Sequence, residues 1–204
     1  MALVKYNNNS ISAVTATGLA SGALTHIKTL TADNSANLSF VHGSDGVILD
    51  STYPIYQFIL VTPSIRSNTN KLGFNVSIDG GSNYNVAKTS TAFRAYHGEN
   101  GSGGVLQYYG DDDLAQGTGL QPIHHGGNSD SDSCVSGDMF LFNPSSTTFA
   151  THFISDVQGS YGATYSINHK VAGYCNNTAA INAVQFTFSS GNIDAGDICL
   201  YGIV

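Results

Sequence analysis

Apolar and polar residues alternate with a period of two along most of this chain, which sorts them onto the two sides of extended strands. The pattern begins over residues 24–30 and resumes over 36–41, where Leu38 and Phe40 alternate with Asn37 and Ser39. Gly43, Ser44, Asp45 and Gly46 then supply a turn before residues 47–49. Residues 53–61 are apolar on both faces, which predicts a central strand covered on both sides or one with a face against another subunit. Leu72, Phe74, Val76 and Ile78 share a face, and the run Asp79, Gly80, Gly81, Ser82 predicts a hairpin into residues 84–86. Glycine-rich residues 98–104 predict a further hairpin between 92–97 and 105–109. Short strands over 139–142, 152–157 and 165–174 follow, then a single helical turn over 177–182. Val184, Phe186 and Phe188 alternate with Gln185 and Thr187, and Ile198, Leu200 and Gly202 alternate with Cys199 and Tyr201, which predicts a terminal hairpin over 184–204 around Ser190, Gly191 and Asn192.

No segment holds a period of 3.6, so the pattern predicts an all-β chain of about ten short strands. An antiparallel two-sheet β-sandwich accommodates them, with a jelly roll as the leading topology and an immunoglobulin-like sandwich second. One domain over residues 23–204 is expected. Residues 1–22 are polar and weakly patterned and read as an extended N-terminal arm.

Composition narrows the function. The 204 residues include 10% charged side chains and carry a net charge of −7, against about 25% charged in an average soluble domain. Hydroxyls and amides must therefore solvate the surface. The seven Lys and Arg are scattered and form no basic stripe, which argues against nucleic acid and anionic membranes as partners. No apolar run approaches the roughly 20 residues of a membrane span, and the first residues lack a secretory pattern, so a cytoplasmic origin is expected. Cys134, Cys175 and Cys199 have neither disulfide-framework nor zinc spacing.

Candidate chemistry is sparse. Glu99 is the one glutamate, and Asp79, Asp194 and Asp197 sit in turn sequences that explain them as Asx turns. Neither a G-x-S-x-G elbow nor a phosphate-binding loop occurs. A non-enzymatic protein with no cofactor is expected. Residues 110–137 form a long polar stretch in which His124, His125, Asp130 and Asp132, or Asp111, Asp112 and Asp113, could gather round an ion. Solvated loop residues or subunit contacts are the commoner reading of such stretches. Tyr108, Tyr109, Tyr161 and Tyr165 are candidates for stacking on sugar rings, although buried rings with wet hydroxyls at a sheet margin weigh more.

Several segments resemble small virion structural proteins of tailed, marine-type bacteriophages: ALVKYNNNSISAVT, LTHIKTLTADNSANLSFVHGSDGVILDSTYPIYQFILV, SIDGGSNYNV, TSTAFRAYHGEN and FSSGNIDAGDICLYGIV. The resemblance covers nearly the whole chain. It implies a jelly-roll-like subunit of the virion, assembled in the host cytoplasm and serving as capsid cement or decoration. A tail, fibre or adaptor subunit is the alternative placement, and a host-glycan-binding module the alternative class. The implied partners are further copies of the chain, as a homotrimer, and other virion proteins such as the major capsid protein. The arm would dock on the particle, with Leu3, Val4, Tyr6 and Ile11 as anchors.

Overall fold

The computed structural model describes residues 23–65, 70–127, 133–162 and 164–204. The expected arm, with Leu3, Val4, Tyr6 and Ile11, lies outside the described residues, as do Asp130 and Asp132. Among the described residues twelve strands form two wholly antiparallel sheets. Eight strands make the larger sheet, in the order β1 (Leu24–Thr31), β12 (Asp197–Ile203), β3 (Ile55–Val61), β8 (Val135–Phe142), β9 (His152–Tyr161), β10 (Tyr165–Cys175), β5 (Lys88–Gly98) and β6 (Val105–Tyr108). The smaller sheet runs β2 (Leu38–Val41), β11 (Ala183–Phe188), β4 (Asn70–Ser77), β7 (Gln121–Gly127).

The pairing is that of a jelly roll. Strands β1, β12, β3 and β8 neighbour one another in one sheet, and β2, β11, β4 and β7 in the other. This is the result of rolling up one long antiparallel ribbon, so that consecutive strands of these eight fall in opposite sheets except β4 and β7, which pair within the smaller one. Two inserted hairpins, β5–β6 and β9–β10, join through the β10–β5 pairing and widen the larger sheet. The first of them is the expected glycine-rich hairpin.

Rolling also overturns two expected hairpins. β11 pairs with β2 and β4, whereas β12 pairs with β1 and β3, so the last two strands lie in different sheets. Between them Ile193 bridges Ser35 and Ile65, which ties the crossing segment down. Likewise the turn at Asp79 leads out of the smaller sheet toward β5, and residues 84–86 form no strand. Asp79 closes this turn, though not as the expected Asx turn: its Oδ1 accepts from the Asn83 N–H, four residues on, at 2.9 Å. Val47, Leu49 and Val86 are buried as loop anchors. Residues 177–182 form no helical turn, and the polar stretch 110–137 contains β7 and the start of β8.

The core has two halves. Where the sheets face each other, aromatic rings dominate: Phe58 lies 5.3 Å from both Phe40 and Phe186, and Phe74 5.0 Å from Phe153. Under the inserted hairpins the inward positions are mixed, with Lys88, Ser90, Arg94, Ser155 and His169 buried among Ala92, Phe153, Val157, Ile167 and Val171. β7 packs over β9 and β10 there, and the segment before it brings Asp112 into the same interior.

Candidate functional site

The outer faces of the two sheets differ in chemistry. The smaller sheet presents Ser39, Gln185 and Thr187, with Gln185 Nε2 donating to Ser39 Oγ at 3.0 Å. The larger sheet presents Ile55 and Ile59 from β3, Phe140 and Phe142 from β8, Ile154 from β9, Ala172 and Tyr174 from β10 and Phe93 from β5, because strand alternation puts these opposite the buried Phe58, Met139, Phe153, Val171 and Ala92. Registers set them side by side: Phe140 is opposite Ile154, and Ile154 opposite Ala172. Phe93 is 43% exposed, Ile154 49% and the neighbouring Phe149 71%. Phe142, Phe149, Ala150, His152 and Ile154 line a hollow of about 630 Å³ on this face. Its charges are matched only in part, Asp138 being held by a neutral amide. Lys170 pairs with Asp156, Asn168 Nδ2 donates to the same carboxylate at 2.6 Å, and Gln57 Nε2 donates to Asp138 at 2.9 Å.

This accounts for the double-sided apolarity of residues 53–61. Tyr56, Phe58 and Leu60 fill the core, while Ile55 and Ile59 face outward and are only partly covered by the chain itself.

The polar interior is a second concentration of chemistry. Asp112 is fully buried, with Oδ1 2.5 Å from Lys71 Nζ and Oδ2 3.2 Å from His125 Nδ1 and 3.4 Å from His169 Nε2. Burial alone would raise its carboxyl pKa, but the hydrogen bond with His125 and the interaction with Lys71 hold it below the ordinary value. Burial pushes His124 down to about 3, with His169 and His125 adding to the effect, and burial also lowers His169. The Ser160 and Ile123 backbones lie beside these two imidazoles. Even so, neither ring, nor Arg94 Nη1, nor Ser155 Oγ makes a well-aligned hydrogen bond among the described residues. The reading of Asp111 to Asp113 as solvated loop residues therefore fails for Asp112, which anchors its segment inside the fold.

His124 and His125 point to different surroundings, as neighbours on a strand do. His124 packs on Gly159, where a Cβ would fall 2.5 Å from Nε2, and His125 meets Tyr109 and Tyr161. Among the described residues no three His, Cys, Asp or Glu side chains gather at metal-ligand geometry.

Three of the four candidate tyrosines come together. The Arg94 guanidinium carbon sits 3.5 Å from the Tyr109 ring centroid, Tyr161 stacks on His125 at 5.6 Å, and Tyr165 lies 6.0 Å from Tyr161 and 5.8 Å from Tyr96. Tyr109 and Tyr161 thus spend ring surface on Arg94 and His125. Tyr108 stands apart, exposed, with its hydroxyl donating to Asp113. Sequence reading missed Arg94, His169 and Lys71 as members of this cluster. The period-two placement of Lys88, Ser90 and Arg94 opposite the more exposed Thr89, Thr91 and Phe93 was the available signal.

No family model matches the sequence, and no curated protein matches it. Among solved structures, one of infectious bursal disease virus, Gx strain, aligns at 10% identity with a TM-score of 0.16, over 88% of this chain and 38% of that one. At that score the likeness carries no argument, and the chain spans well under half the length of that viral chain.

Proposed function

We propose that the chain is a non-enzymatic structural protein of a tailed-phage virion, a capsid cement or decoration subunit that acts through contacts between subunits. The sequence resemblance supports the virion setting. The observation that carries the assembly role is the outer face of the larger sheet, aromatic and aliphatic where that of the smaller sheet is polar. Large contiguous apolar patches on soluble proteins mark interaction surfaces.

The occupant of that face is a second copy of the chain. The five strands that carry it, at about 4.8 Å spacing, and about seven residues at about 3.4 Å rise give a footprint of roughly 570 Å², about two thirds of the roughly 800 Å² per partner of a standard interface. The pairing of Lys170 with Asp156 within the face leaves Asp138, hydrogen-bonded to Gln57, as its one carboxylate without a paired cation among the described residues, little charge to select an oppositely charged partner.

Two measurements test the reading. Sedimentation of the full chain should show an oligomer that Phe93→Asp or Ile154→Asp dissociates. A monomer at about 100 μM, or an oligomer indifferent to both changes, overturns self-association and leaves residues 1–22 or another virion protein as the occupant. Quantitative gel analysis of purified particles should find hundreds of copies of a cement subunit. A few tens would place the same fold in the tail, and absence from particles would remove the virion role.

A further inference from the structure

Lys88 opens β5 with its side chain fully buried, and the end of that side chain reaches the other sheet. Its Nζ lies 2.7 Å from Oδ1 of Asn75 on β4 and 3.2 Å from the Val86 carbonyl. A carbonyl bond is about 1.2 Å long, so the nitrogen stands within about 4 Å of the Asn75 carboxamide carbon, near the range of a reactive approach. Backbone pairing holds both ends. Lys88 exchanges both backbone hydrogen bonds with Gly117 and is registered against Cys175, and Asn75 is registered against Gln185. We infer that Lys88 and Asn75 form an intramolecular isopeptide bond that staples the two sheets together.

In the reaction the lone pair of neutral Nζ attacks Cγ of Asn75. The new N–C bond forms, the C–NH2 bond breaks, and one amine proton leaves with the NH2 group as ammonia. Atoms and electrons balance without an oxidant or a further reactant. The attacking amine must be uncharged, and burial lowers the Lys88 pKa to about 8, so a sizeable fraction is neutral under mildly alkaline conditions. Among the described residues the ion pairs involve other side chains, Lys28 with Asp45, Lys71 with Asp112 and Lys170 with Asp156. Cys175, the cross-strand partner of Lys88, keeps its proton, since burial raises the thiol to about 12. A buried lysine held on a carboxamide by one hydrogen bond would otherwise be costly to desolvate, and amide formation removes the charge altogether.

The test is made on the full, unmodified chain. Intact mass should fall about 17 Da, the mass of ammonia, below the sequence mass, and should do so faster during incubation at pH 9 than at pH 6. Digestion of the unfolded protein with trypsin should leave the Lys88–Thr89 bond uncut. Chymotryptic cleavage after Tyr84 should give two peptides, one holding Asn75 and one Lys88, that remain joined. Asn75→Ala should restore the full mass and the tryptic cut. A wild-type protein that keeps its full mass after prolonged incubation at pH 9 overturns the inference. The same loss of mass without joined peptides also overturns it, because a cyclic imide at an asparagine loses ammonia too.

Discussion

Asp112 Oδ2 lies 3.4 Å from Nε2 of His169, and neither side chain is exposed to solvent. A carboxylate in that position neutralises an interior that also holds Lys71 and Arg94. Asp112→Asn keeps the shape and removes the charge, so it should destabilise the fold by about 3–5 kcal/mol, the usual cost of leaving buried charge uncompensated. Lys71→Met should cost much less, because the lysine side chain is 27% exposed and water shares in its solvation. Urea unfolding of both variants checks this. Equal losses would show that the Lys71 contact alone is what Asp112 supplies.

The same interior should make the protein acid-sensitive well above the carboxylate range. His124 takes up its proton near 6.5 when unfolded and near 3 when folded, and His169 is shifted in the same direction. The unfolded chain therefore binds more protons between those values. Stability is full above about pH 6.5 and falls as pH drops toward 3, by up to about 1.4 kcal/mol per pH unit for each such histidine. Asp112, held below its ordinary value of 3.8, adds to the loss only below that pH. Unfolding free energies at pH 7, 5 and 4 should follow this slope, and His124→Gln should flatten it. An unchanged slope in that variant would remove His124 as its source.

Strand alternation made the β-class and most strand positions legible, because burying one face imposes the period of two on the sequence. It could not tell a hairpin from a sheet crossing. Phe188 and Ile198 have the same flanking pattern whether their strands pair or separate, and the decision lies in distant partners: Ala183 to Phe188 against β4, Ile198 against Leu60. Gly196 shows how tight the crossing is, since a Cβ there would lie 2.4 Å from the Thr62 carbonyl oxygen. Polar interior residues were missed for a related reason. Asp112 reads as a loop aspartate until Lys71, His125 and His169, contributed by three separate strands, are brought round it. His124 and His125 were visible as a pair, but only the fold distinguishes the ring packed on Gly159 from the one beside Tyr109.

Gly126 is where backbone and aromatic cluster meet. Its φ is +89°, and a Cβ would lie 2.2 Å from Cδ2 of Tyr161, the ring stacked on His125. Gly43 has a similar φ of +78° with open space around it. Gly43→Ala should therefore cost about 1 kcal/mol, the left-handed backbone term. Gly126→Ala should cost about 3 kcal/mol or more, because the Tyr161 ring must also move. Thermal unfolding of the two variants separates conformational strain from overlap, and equal losses would mean that the ring relocates freely.

Charge placed on the outer face of the larger sheet should weaken assembly without weakening the subunit. Phe93 and Ile154 are already 43% and 49% exposed in the single chain, so an aspartate at either position meets water and displaces little core. In an oligomer the same residue is buried, and losing an apolar side chain from the interface costs about 1.5–3 kcal/mol per copy. With every copy altered, the dissociation constant should rise at least tenfold. Thr187→Asp on the smaller sheet, whose outward neighbours are already polar, should change neither property. Melting temperature and sedimentation measured on each variant keep the two effects apart. If Phe93→Asp or Ile154→Asp unfolds the subunit, the face belongs to its own core; if Thr187→Asp dissociates the oligomer equally, the contact lies on the other sheet.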